Sequence, residues 1–316
     1  MKKLTKHIET FLPFLILLVM LLFFGISTKG AFFAQGNLNV VMKQTLNTII
    51  AVLGMIFVAS LGATDITQGS LVGMAGAAAT VTALNYGFFP AVLAALLCGA
   101  ASGLFLGIVN AKFKVPSFMC SLAMLIALRA LGTVIMGGST SGLSIPAFLF
   151  VLDKASIKIP LVICLTAVIA FVFHKTPFGT YCRAIGENEN AVKFAGINVD
   201  RIKIIAFILS GFFTGIASLF VLARVGGCST TLGLGFEMKI MMAMFIGGIP
   251  VEGGFGTRLY KAVVGAFTIT VLENGLVLSG SSGATTQLVR GIALLAVVWL
   301  TITLNKRFEQ INAETA

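Results

Sequence analysis

The chain has 316 residues, of which 58% are apolar and 10% charged, with a mean hydropathy of +1.03 and a formal net charge of +11. That is more apolar side chain than a globule of this length can hide from water, so the composition excludes a water-soluble protein and places the chain in a bilayer, in contact with lipid. The basic excess contains no Lys/Arg run interleaved with aromatics, and no nucleic-acid partner is expected.

A helix crossing a hydrocarbon layer about 30 Å thick needs roughly 20 mostly apolar residues at about 1.5 Å each. In chain order that window predicts ten crossings, at 11–28, 42–62, 66–84, 88–110, 117–137, 159–174, 203–223, 237–250, 260–279 and 286–304. The expected fold is therefore all-α, a polytopic membrane helix bundle formed as one domain over residues 1–316. The first run, FLPFLILLVMLLFFGIS, is longer than the core of a cleaved secretory signal and precedes a poor cleavage context, so it reads as a retained anchor. Two runs are atypical: 66–84 is small and polar, and 237–250 is too short to span alone. Both are expected to be sheltered by other helices, where polar or broken backbone is tolerated.

Small residues recur every four positions at Gly69, Gly73 and Ala77, at Gly99, Gly103 and Gly107, and at Gly211 and Gly215. Such stripes let helix backbones approach closely where lipid removes the hydrophobic incentive to associate. Close packing within one subunit is the plain expectation, and contact between subunits the alternative.

Orientation follows from where Lys and Arg fall relative to the spans. With ten crossings, Lys2, Lys3 and Lys6 share one side with Lys112, Lys114, Lys175, Arg183, Lys193, Arg201, Lys203, Arg258, Lys261, Lys306 and Arg307. Both termini are thus expected in the cytoplasm, and the net charge reports topology. The five cysteines (Cys98, Cys120, Cys164, Cys182, Cys228) include no CxxC pair, and no disulfide is expected. Neither His7 nor His174 has a partner at metal-ligand spacing, no Walker-type glycine loop occurs, and no nucleophile and base pair is legible. No catalytic set, metal or cofactor is expected, and any driving energy comes from another protein.

Ionisable groups inside a bilayer are costly and mark candidate functional positions. Asp65, Arg129 and Glu273, the last beside Asn274, stand inside or at the ends of predicted spans, as do Glu237 and Arg290. TDITQGS reads as a helix start, with Thr64 or Asp65 as cap and Gln68 reaching back. Arg129, mid-helix in AMLIALRALGTVIMGG, must answer a carboxylate or several carbonyl oxygens, in a structural pair or along a translocation path.

Against this apolar background, residues 175–202 form the longest expected cytoplasmic segment, containing AIGENENAVKFAGINVDRIK. Glu187 or Asn188 can cap a short helix with acids in its first turn and Lys193 at its end, as the helix dipole favours. Gly196 stops that helix, and Asp200 is placed to cap the next span. Ala191, Val192 and Ala195, with Ala184 nearby, give a small apolar face suited to seating in another protein's groove.

The run TPFGTYCRAIGENENAVKFAGINVDRIKIIAFILSG resembles the cytoplasmic coupling loop of permease subunits of bacterial ABC importers, in the ribose-type sugar branch that is similar to the branched-chain amino acid permeases. GATDITQGSLVGMAGA, LGIVNAKFKVPSFMCSLAMLIALRALGTVIMGG and MFIGGIPVEGGFGTRLYKAVVGAFTITVLENGLVL extend the resemblance, in the expected order, from about residue 45 to about 304. The resemblance implies a permease domain in a bacterial plasma membrane, not an enzyme, that passes a sugar or sugar-like solute. It implies a second permease subunit, identical or related, two ATP-binding subunits beneath, and an extracytoplasmic solute-binding protein. The loop carrying Gly186, Asn188, Ala191 and Gly196 matches the family helix that sits in a cleft of the ATP-binding subunit. Two departures stand out: the family often reads Gly-Ile-Asp-Leu-Ser where this chain has Ala63, Thr64, Asp65, Ile66 and Thr67, and Asn-Asn-Gly where it has Glu273, Asn274 and Gly275. A carboxylate at 273 makes the resemblance a poor guide to the solute. The rival reading is an ion- or proton-coupled secondary transporter with Asp65 and Glu273 as coupling sites. The coupling-like loop stands against it, as does the absence of two inverted halves beyond a faint echo of Gly pairs at 137–138 and 247–248.

Overall fold

The computed structural model describes residues 2–138 and 142–293, together with 295, 296 and 299, with side chains from residue 11 onward. It is helical nearly throughout: α1 (Lys2–Ser27), α2 (Gln35–Ser60), α3 (Gln68–Tyr86), α4 (Phe88–Lys112), α5 (Ser117–Ile135), α6 (Ala155–Lys175), α7 (Pro177–Glu187), α8 (Glu189–Phe194), α9 (Val199–Val225), α10 (Phe236–Ile246) and α11 (Leu259–Leu278). Residues 283–293 are also helical. Each predicted apolar run through 260–279 coincides with a helix. The last, 286–304, agrees over its described part, and its end, with Lys306 and Arg307, lies outside the described residues. The helix α7 was not expected. Among the described residues α2, α4, α5, α6, α9 and α11 are long and apolar enough to cross a membrane. The chain is a polytopic, all-α membrane protein.

Helices dominate because hydrocarbon offers a backbone no water, so every N–H and C=O must be satisfied within the segment. The hydroxyls inside these helices follow the same rule. Thr80, Ser102, Thr166 and Thr214 each donate to the carbonyl four residues back, at 2.7–2.8 Å. Burial separates two kinds of span. The most apolar 18-residue window of α2 is 78% buried, whereas those of α5 and α6 are 22% buried and leave Ile126, Val134, Ile163 and Phe171 facing outward, as lipid-contacting helices do.

The chain divides into two compact units. One comprises residues 1–45, 242–250 and 260–316. In it Phe24 and Phe32 are buried, and Gly275 of α11 lies directly against the Phe24 ring. The end of α10 presses backbone to backbone on α11 through Gly247 and Gly265, and Lys261 donates to the carbonyl of Gly248 at 2.9 Å.

The other comprises residues 46–241 and 251–259. Its centre is the crossing of α4 and α9. A methyl group added at Gly107 would lie 2.9 Å from Ile204 Cα, and one at Gly215 2.6 Å from Ala95 O, while Gly99 and Gly103 abut the backbone of Gly211 and Phe207 more tightly still. The two glycine stripes thus face each other within one subunit. The stripe on α3 meets a loop instead: a methyl at Gly73 would lie 2.9 Å from Leu232 O, and Gly69 abuts Gly233, whose φ of +75° favours glycine. As expected of a sheltered helix, α3 is mostly buried. A two-residue antiparallel ladder pairs Leu143–Ser144 with Gly227–Cys228, and a 3-10 turn, Ala147–Asp153, leads into α6. All five cysteines are free.

Candidate functional site

The polar segment between α6 and α9 folds into two short helices with different jobs. Thr176 is extended, and Pro177 opens α7 at a position where its missing N–H costs nothing. Gly179, Cys182 and Ile185 then fall on one buried face. Gly179 abuts the backbone of Phe173 at the end of α6, and Gly186 abuts Ser60 O at the end of α2. Phe57, Phe173 and Phe178 pack their rings at 5.3–5.5 Å, and the Arg183 guanidinium lies 5.1 Å from the Phe173 ring and 5.4 Å from the Phe255 ring. Arg183 also donates to Gly179 O and Phe173 O, and Glu187 Oε1 accepts from the backbone N–H of Phe255 at 2.8 Å. Burial pushes the Cys182 thiol up to about 12, which makes it a packing residue with no thiolate chemistry.

The next helix, α8, is mounted on this base. Asn188 caps it by accepting from Ala191 N at 3.0 Å, one of the two caps the sequence offered; Glu187, the other, is used in the bond to Phe255. Glu189 accepts from Lys193 at 2.5 Å and from Lys203 of α9 at 2.6 Å. Its burial works to raise the carboxyl, but these two ammonium partners outweigh that and bring it down to about 2. Val192 is buried, and Gly196, with φ +79°, ends the helix as expected. The next cap differs from the expectation. Asn198 accepts from Arg201 N to start α9, while Asp200 lies within the first turn and pairs with Lys114 at 2.6 Å. An Asn in the preceding position can place its short acceptor over the first free N–H groups, which leaves the Asp free for a cation.

The six loop residues singled out in the sequence therefore separate. Asn188, Ala191, Ala195 and Gly196 are exposed on α8 and its end, whereas Ala184 is half-buried and Gly186 is a contact of α7 with the protein's own backbone. The sequence reading missed Phe194, which is 92% exposed between Ala191 and Ala195. An aromatic in a membrane chain reads as lipid-facing or core; only its place on a capped polar helix marks it as a surface residue.

The intramembrane candidates are engaged within their own units. Asp65 is buried but caps nothing: α3 begins at Gln68, and Asp65 Oδ1 accepts from Thr67 N and Thr67 Oγ1, while Oδ2 accepts from Ser210 Oγ of α9 at 2.8 Å. Gln68 donates to the same Ser210 at 3.0 Å instead of reaching back to Asp65. Thr67 stands just before the helix, so its N–H is not one of the helix's free donors, and the carboxyl instead closes a tight turn and ties α3 to α9. Arg129 meets carbonyls: its Nη1 donates to Leu232 O at 3.0 Å and Thr230 O at 3.3 Å. Around it Ser70, Gly73, Thr133, Ser229 and Thr230 line a cleft of about 180 Å³ including its open mouth. Glu237 packs against Gly69. Glu273 pairs with Arg290 at 2.6 Å, and Asn274 exchanges two hydrogen bonds with Asn37, both at 2.9 Å. Among the described residues no three His, Cys, Asp or Glu side chains are grouped to hold a metal.

A family model described as branched-chain amino acid transport system / permease component matches residues 37–298. The chain belongs to that permease family. The candidate residues named from the sequence, from Asp65 to Arg290, all lie within the matched stretch of this permease. The permease is 32% identical over 293 residues to the ribose import permease protein RbsC of Escherichia coli K12, covering 90% of this chain and 91% of the relative. It is 29% identical over 371 residues to the xylose transport system permease protein XylH of Haemophilus influenzae, covering 95% and 98%. A probable ABC transporter permease protein, YphD of Escherichia coli K12, is 29% identical over 314 residues, covering 96% and 92%. No solved structure matches the chain. As a transport component, the permease is not an enzyme, and it is a multi-pass protein of the membrane.

Proposed function

We propose that this permease is the transmembrane subunit of an ATP-driven importer that carries a sugar or sugar-like solute across the bacterial plasma membrane. The single observation that carries the reading is the similarity, over nine-tenths of the chain, to a ribose import permease; the xylose transport permease points to the same solute class. In this reading ten crossings leave both termini and the α7–α8 segment in the cytoplasm. Two ATP-binding subunits sit beneath, a second permease subunit completes the path, and an extracytoplasmic solute-binding protein delivers the cargo.

The geometry of α7 and α8 suits the coupling role. A helix that transmits force must be fixed to its own subunit and bare toward its partner. The close-packed glycines, the Arg183 contacts and the Glu187 bond fix α7 to the ends of α2 and α6, while α8 offers Ala191, Phe194 and Ala195 outward. Closure of the ATP-binding pair would then move α7 and α8 as one piece and bias the permease between outward and inward openings, the solute-binding protein biasing the same equilibrium from the far side. The secondary-transporter reading loses its main support, because Asp65 and Glu273 each already have hydrogen-bonding or ionic partners.

The test is uptake into proteoliposomes holding the permease with its ATP-binding subunits and binding protein. Radiolabelled ribose or xylose accumulates only with ATP if the proposal holds. Accumulation driven by a proton or sodium gradient without ATP contradicts it.

A further inference from the structure

The cleft around Arg129 has a chemistry that the coupling mechanism does not use. We infer that it is a contact point for the solute on the translocation path, reading paired hydroxyl groups of a neutral polyol; this rests on the permease reading above. Arg129 stands twelve residues into α5, about 18 Å along a helix that starts at Ser117, which places it well inside the span. Its Nη1 is anchored on Thr230 O and Leu232 O, which holds the planar group in one orientation. The remaining donors of its five N–H groups meet no carboxylate or carbonyl among the described residues. A guanidinium placed in a bilayer without a carboxylate is costly and needs a reason.

The neighbouring hydroxyls decide which ligand fits. Ser70 donates its proton to Thr67 O and Thr133 donates to Arg129 O, so both offer a solute only lone pairs. The cleft therefore combines fixed donors with fixed acceptors. A hydroxyl group both accepts and donates, and two of them on adjacent carbons can satisfy the guanidinium and these oxygens together. A carboxylate or phosphate suits the guanidinium but has no proton to give Ser70 or Thr133. The cleft encloses only about 10 Å³, room for a single water-sized group, so it can touch the edge of a passing solute but cannot enclose one. That size fits a transit contact, which must release what it binds.

Two measurements test this. In the permease complex held in nanodiscs, the Thr133→Cys variant is alkylated by a small thiol reagent and the reaction at position 133 is followed by peptide mass spectrometry. Ribose or xylose at tens of millimolar should slow it threefold or more, while glutarate, a carboxylate of similar length with no hydroxyl groups, does not. In proteoliposomes, Thr133→Val should lower ATP-driven xylose or ribose uptake about tenfold while the ATP-binding subunits still copurify at the parent yield. Protection by glutarate instead, no protection by either class, or parent-level uptake by Thr133→Val overturns the inference. The alkylation readout needs no ATP, so loss of ATP-driven uptake in the parent would strike the importer reading, and loss of sugar protection would strike the cleft.

Discussion

Replacing Gly186 with Ala should uncouple this permease without emptying it from the membrane. A methyl group at that position would sit 2.5 Å from the Gly254 backbone nitrogen and closer still to the carbonyl oxygen of Ser60. Carbon normally stands about 3.3–3.6 Å from a backbone oxygen, so a gap of roughly 1 Å must open. Neither neighbour is a flexible side chain, and the yielding has to come from α7 lifting off the ends of α2 and the 254–256 turn. Overpacking of this kind costs about 1–3 kcal/mol, which corresponds to about a 5- to 150-fold loss of the correctly seated state. Lifting α7 also strains the 2.8 Å bond from Phe255 N to Glu187. ATP-driven uptake should therefore fall at least fivefold, with copurification of the ATP-binding subunits weakened in parallel and the amount of permease in the membrane unchanged. Thr180→Ala, on the exposed side of the same helix, is the control and should behave like the parent. Parent-level uptake and parent-level stability in Gly186→Ala would refute the claim that α7 is rigidly seated.

Three further outcomes are expected. Gly211→Ala pushes a methyl to 3.0 Å from Gly103 N and closer to Gly99 O, so folded yield after detergent extraction should drop severalfold; an unchanged yield would mean α4 and α9 do not pack backbone to backbone. Asp65→Asn removes one acceptor from the set that holds Thr67 and Ser210 and should cost about 1–3 kcal/mol in a denaturation series in mixed micelles. Glu189 has its carboxyl lowered from 4.5 to about 2, so its tie to Lys193 and Lys203 adds stability that is complete above about pH 4.5 and is lost as pH falls toward 2. Hydrogen exchange of the α8 amides should accelerate over that window in the parent and show no such step in Glu189→Gln.

Helix positions were legible because a span needs length and apolarity and little else; the runs at 88–110 and 203–223 widened by only a few residues into Phe88–Lys112 and Val199–Val225. The glycine stripes on α4 and α9 were legible as close-packing signals, though nothing in their spacing says they face each other. Polar residues were harder to read, since hydrogen-bonding partners are set by the fold. Asp65 reads as a cap from its neighbours, yet its decisive partner, Ser210, lies 145 positions away. Gly186 and Ala191 belong to one polar segment in the sequence, and only the structure separates the residue that seats the loop from the one the loop presents. α7 was missed because its buried face, Gly179, Cys182 and Ile185, is too short and too mixed to stand out beside long apolar runs.

The central claim is that α8 is the surface through which an ATP-hydrolysing subunit drives this permease. A photoreactive side chain placed at position 194, in the assembled complex in its native membrane, tests it most directly, because Phe194 is 92% exposed on that helix. The account predicts a covalent adduct with the ATP-binding subunit whose yield changes when ATP is bound. Labelling of position 194 by a membrane-impermeant reagent from outside the cell, with no adduct to that subunit, would contradict it.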